Sequence, residues 1–97
     1  MSKESTEAAV ARAVEKSPLF AQLLGEFKEH DDDAYQMLCV AIKELTADER
    51  FQRIKQSEVT TACLEELLTD LSKAYMEERM SSWEPDLEGI IQRHIIN

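Results

Sequence analysis

Residues 58–80 read EVTTACLEELLTDLSKAYMEERM, and the fold turns on how this stretch is understood. It has no Gly or Pro, and Val59, Ala62, Cys63, Leu64, Leu67, Leu68, Leu71, Ala74, Tyr75 and Met76 recur at helical spacing. Leu64, Leu67, Leu71, Ala74 and Tyr75 make one stripe, flanked by Cys63, Leu68 and Met76. As a helix the stretch runs roughly 34 Å, the diameter of a small domain. So wide a stripe predicts a helix covered on more than one side, with Ser57 able to cap it. The opposite side is acidic: Glu65, Glu66, Asp70, Glu77 and Glu78, broken only by Lys73 and Arg79. This is the expected central helix, with the other segments wrapped round it.

Outward from it, the chain supplies partners. Residues 1–5 are expected to fray. Residues 6–16 predict a short helix with Ala9, Val10, Ala13 and Val14 inward. Ser17-Pro18 is a boundary, because Pro disfavours the α region for the preceding residue and fits the first helical position, while Ser caps. Residues 18–29 follow, with Leu19, Phe20, Leu23, Leu24 and Phe27 repeating along one side. Asp31, Asp32 and Asp33, next to His30, form a linker and N-cap, where acidic side chains complement the helix dipole.

Residues 34–45 predict a helix that is apolar over much of its circumference, through Tyr35, Leu38, Cys39, Ile42 and Leu45 with Met37, Val40 and Ala41 beside them. Thr46-Ala47-Asp48-Glu49 has the form of a capping box opening a short helix to about residue 55, anchored by Phe51 and Ile54. That helix carries Arg50, Arg53 and Lys55, expected to make salt links to acidic stretches. After Ser81-Ser82-Trp83-Glu84, Pro85 is expected to begin a last helix with Leu87, Ile90, Ile91 and Ile95 apolar. The sum is a single all-α domain over residues 1–97, a compact bundle of five or six helices with short loops. Strands have little support, since β-branched runs are missing and good helix formers abound.

Composition narrows the chemistry. Twenty acidic residues against eleven Lys and Arg leave a net charge of −9. That charge repels nucleic acid and anionic membranes and favours basic protein surfaces. Apolar residues at helical spacing throughout separate the chain from a disordered acidic tail. Cys39 and Cys63 lie in apolar helical faces without disulfide or zinc spacing. No apolar run approaches the length of a membrane span, so a cytoplasmic, reduced setting is expected.

No catalytic, cofactor-binding or metal-ligating set emerges. The acids around residue 31 lack the alternating oxygen ligands, central Gly and closing Glu of a calcium loop. A Cys nucleophile needs a base and an electropositive setting, and these positions look apolar. The chain is therefore expected not to be an enzyme.

Two surfaces stand out instead. Glu66, Asp70 and Glu77 lie nearly in line on the long helix, flanked by Glu65 and Glu78. Residues four apart on a helix stand about 6 Å from each other, comparable with successive phosphates of a nucleic-acid strand. With Asp31, Asp32 and Asp33 this predicts an acidic interaction face that mimics DNA and blocks a basic nuclease or nucleic-acid-binding site on a partner protein. Phage anti-defence and toxin-immunity proteins act in this way. The alternative is an adaptor or secretion-chaperone-like protein that binds a partner helix, or a second copy of itself as a homodimer, through an apolar patch of Trp83, Leu87, Ile90, Ile91 and Ile95.

Overall fold

In the computed structural model, which describes residues 5–54 and 56–96, the long acidic stretch is the central helix, α5 (Ser57–Met76). Packed on it are α1 (Thr6–Lys16), α2 (Pro18–His30), α3 (Asp32–Ala47) and the C-terminal segment. That segment comprises a 3-10 turn (Met80–Ser82), α6 (Leu87–Ile91) and a π turn (Gln92–Ile96). The short α4 (Glu49–Gln52) packs on α3. The fold is all-α, with no strand among the described residues. At about 1.5 Å per residue, α5 spans roughly 30 Å of a body 39 Å long.

The expected stripe is inside: Cys63, Leu64, Leu67, Leu68, Leu71 and Ala74 are buried. Ala9 and Ala13 present α1's narrow seam and, lacking bulk, let it approach closely; Val14, expected inward, is partly exposed. Phe20 and Phe27 from α2 and Leu38, Ala41, Ile42 and Leu45 from α3 complete the main core. Leu19, expected in α2's apolar repeat, is 54% exposed, because Phe20 beside it takes the inward position.

Side-chain caps set most of the boundaries. Ser5, expected to be frayed, caps α1 by accepting from the Ala8 amide at 3.1 Å; residues 1–4 lie outside the described residues. Ser17 caps α2 as expected, its hydroxyl accepting from the Phe20 amide at 3.1 Å, and it also donates to Glu65 at 2.5 Å. The expected linker at residues 30–33 shrinks to one residue. α2 runs through His30, and Asp31 accepts from the Ala34 amide at 3.0 Å to start α3.

Around α4 the boundaries differ from the expectation. α3 continues through Thr46, which is buried with its hydroxyl 2.8 Å from that of Thr6, so the cap of α4 falls to Asp48. Its carboxylate accepts from the Arg50 amide at 2.8 Å, a role in which Asp is at least as good as Thr. α4 ends at Gln52, and Lys55 lies outside the described residues. Ser57 falls inside the first turn of α5, and the N-cap residue, Gln56, makes no side-chain cap.

The far end of α5 is reached a turn early. Glu78 adopts a left-handed conformation, φ 58°. Its amide donates to the Tyr75 carbonyl at 3.2 Å, and the Arg79 amide donates to that of Ala74 at 2.8 Å. This pair of bonds is the Schellman closure, which a Gly usually forms. Further on, α6 begins at Leu87 rather than Pro85, capped by Asp86, which accepts from the Gly89 amide at 3.0 Å. A Cβ at Gly89 would meet that carboxylate and the Arg93 guanidinium, so a larger residue there would make both side chains shift.

Candidate interaction surfaces

The acidic column on α5 is largely a seat for the protein's own C-terminal segment. Glu66 accepts from Arg93, through Nε at 3.3 Å and through Nη2, and its Oε1 lies 2.8 Å from His94 Nε2. Arg93, with His94 beside it, holds the Glu66 carboxyl below its usual range. One turn on, Asp70 accepts from the Trp83 indole at 3.0 Å. Glu65 receives the Ser17 hydroxyl, and Glu77 pairs with Arg79 at 2.6 Å. Glu65, Glu66 and Asp70, expected on one outward face, are thus engaged within the fold, while Glu77 and Glu78 stay exposed.

A second clasp reinforces the first. Arg50 sits between two carboxylates, bonding Glu88 through Nη1 at 2.9 Å and Nη2 at 2.8 Å, and Asp48 at 3.0–3.1 Å. Its guanidinium, with Gln92, pulls the Glu88 carboxyl down to about 2. The salt link expected for Arg50 therefore runs within the chain, from the start of α4 to α6.

The five apolar residues of the expected patch face inward. Ile90 and Ile91 are fully buried, Trp83 is 8% exposed, and Leu87 and Ile95 are half-buried against the core. The Trp83 indole N–H has its partner in Asp70, which suits a buried indole. In this fold those residues anchor the chain's own C-terminal segment.

A further group of exposed acids lies at another place. Glu26, Glu29, Asp32 and Asp33 are exposed where α2 ends and α3 begins, around the half-buried Asp31. Residues 26–33 carry five acids against Lys28 and His30. The same corner holds an apolar cleft of about 280 Å³, lined by Leu23, Phe27, Tyr75 and Met76 with Glu26 and Asp31 at its margin. Phe27 and Tyr75 meet edge to face, with centroids 5.4 Å apart and planes at 85°. Tyr75, expected on the buried stripe, is 44% exposed, and Met76 is 83% exposed. Phe27 is what α2 lays on the last turn of α5, and Met76 beside it stays at the surface.

A wider cleft of about 580 Å³ opens between α1, α2 and α3, with Cys39 and Tyr35 in its wall. A hydrogen bond with the Cys39 thiol is the main cause of a raised Tyr35 pKa. Cys63 is buried under α5's neighbours, and desolvation pushes its thiol up to about 11. Among the described residues no group of three or more His, Cys, Asp or Glu side chains is arranged to hold a metal ion, and no helix is long and apolar enough to cross a membrane. Compared with known proteins, the chain has no match among family models, curated proteins or solved structures.

Proposed function

We propose that this chain is a small non-catalytic protein-binding module, an antagonist that occupies a basic site on a partner protein. The observation that supports it is how the charge is distributed after folding. Arg50, Arg53, Arg79 and Arg93 each pair with a carboxylate of the chain itself. The corner formed by α2, α3 and the end of α5 keeps Glu26, Glu29, Asp32 and Asp33 at the surface. A negative field of this kind steers a cationic partner to one place and resists nucleic acid and anionic lipid. The occupied site is one that would otherwise hold nucleic acid, as in a nuclease. The acidic face lies at this corner, displaced from the column along α5.

Capture of partners from a host lysate tests the reading when native chain, Asp32→Lys/Asp33→Lys and Glu15→Lys are compared as baits at low and high salt. Exposed charges are screened over about 8 Å at 0.15 M ionic strength. The proposal expects a basic protein retained by the native and Glu15→Lys chains at low salt, released by high salt, and lost with the double reversal. The purified partner should then lose its nucleic acid when the native chain is added. Retention indifferent to both salt and reversal would overturn the proposal.

A further inference from the structure

We infer that the cleft between α2 and the end of α5 receives the apolar side of a basic amphipathic helix from the partner. This rests on the reading of the chain as an acidic binder and names the chemistry of what it binds. The volume is the first consideration. Pockets for drug-sized ligands span about 300–1,000 Å³, and a cleft of about 280 Å³ suits one or two apolar side chains better than a cofactor.

Its walls come from two helices. Leu23 and Phe27 stand one turn apart on α2, and Tyr75 and Met76 form the last turn of α5. The edge-to-face contact of Phe27 with Tyr75 fixes the floor. Met76, 83% exposed, is an unbranched and polarizable lip that adapts to the shape laid against it. Aromatic and Met side chains around a groove are what helix-in-groove recognition uses, reading anchors at i, i+3 or i+4.

Charge selects the occupant. Glu26 and Asp31 line the cleft with His30, Glu29, Asp32 and Asp33 lie beside them in the chain and outnumber Lys28, and Glu78 follows Glu77, whose charge is met by Arg79. A second copy docked here would bring two acidic rims together, and an anionic lipid surface would be repelled for the same reason. Lys and Arg flanking an apolar stripe meet this rim with opposite charge.

Three synthetic peptides of equal length test the inference by fluorescence anisotropy against the full chain: a basic helix with a leucine stripe, its equally charged scramble without the stripe, and an acidic helix with the stripe. The basic striped peptide is expected to bind at least about tenfold tighter than the scramble. Met76→Ser should erase that margin and leave the scramble's affinity unchanged. Val40→Ser, on an α3 side chain that is 59% exposed, should alter neither. Equal binding of both basic peptides would overturn the cleft and leave the acidic reading standing. Binding of neither would remove both. An acidic striped peptide that binds as tightly as the basic one would overturn charge selection. A dimer in sedimentation that Met76→Ser dissolves would assign the cleft to a second copy.

Discussion

Glu78 shows how one side chain sets a boundary. A non-glycine residue in the left-handed region costs about 1–2 kcal/mol, and Glu78 bears this at φ 58° to close α5. Glu78→Gly is therefore expected to stabilise the chain by roughly 0.5–1 kcal/mol, part of the gain being offset by the freer unfolded chain. A midpoint in urea that does not rise would contradict the closure described. Thr61 is the complementary case. It is buried, and its hydroxyl has no hydrogen-bond partner among the described residues. A buried, unmatched hydroxyl costs about 1–3 kcal/mol, so the nearly isosteric Thr61→Val should stabilise by on the order of 1 kcal/mol in the same measurement. Neither residue announces itself in the sequence, because Glu and Thr are ordinary helix-surface residues and only the backbone angle or the burial singles them out.

Among the elements, the C-terminal segment is held by Asp70 on Trp83, Glu66 on Arg93 and His94, and Glu88 on Arg50. Trp83 is the only tryptophan, so its fluorescence follows this segment. Asp70→Ala leaves a buried indole N–H unmatched and is expected to cost about 1–2 kcal/mol, with an early red shift on heating. Emission that tracks global unfolding with unchanged stability would count against the clasp. Acid should loosen it as well. The carboxyls of Glu66 and Glu88 are depressed in the folded chain, so their stabilisation is complete above the unfolded value and declines as pH falls through the folded one. For Glu88 that window runs from 4.5 down to about 2. Loss of stability across it should shrink in Glu88→Gln; an unchanged slope would show that this pair carries none of the effect.

Helices were more legible than their uses. Ser17-Pro18 and the apolar spacing of residues 58–76 declare themselves, because capping and burial depend on residue type and period. The acidic column was legible as a column, but its purpose was not. Glu66 and Asp70 are matched by Arg93 and Trp83, residues 27 and 13 positions away, and no local pattern encodes that return of the chain. Tyr75 and Met76 continue the apolar period, and nothing in that period marks that they stay exposed at the end of α5.

At the scale of the whole molecule, folding pairs Arg50, Arg53, Arg79 and Arg93 with the chain's own carboxylates and leaves a corner, between α2, α3 and the end of α5, that is both acidic and apolar. Affinity for a basic partner should fall steeply with salt, yet keep an apolar remainder at high salt that Met76→Ser removes. The most direct test is amide chemical-shift mapping of the native chain titrated with the basic striped peptide. Shifts are expected to concentrate on residues 23–33 and 72–78, with residues 83–91 unmoved. Shifts centred on residues 83–91, or spread along α5 from Glu58 to Asp70, would contradict this.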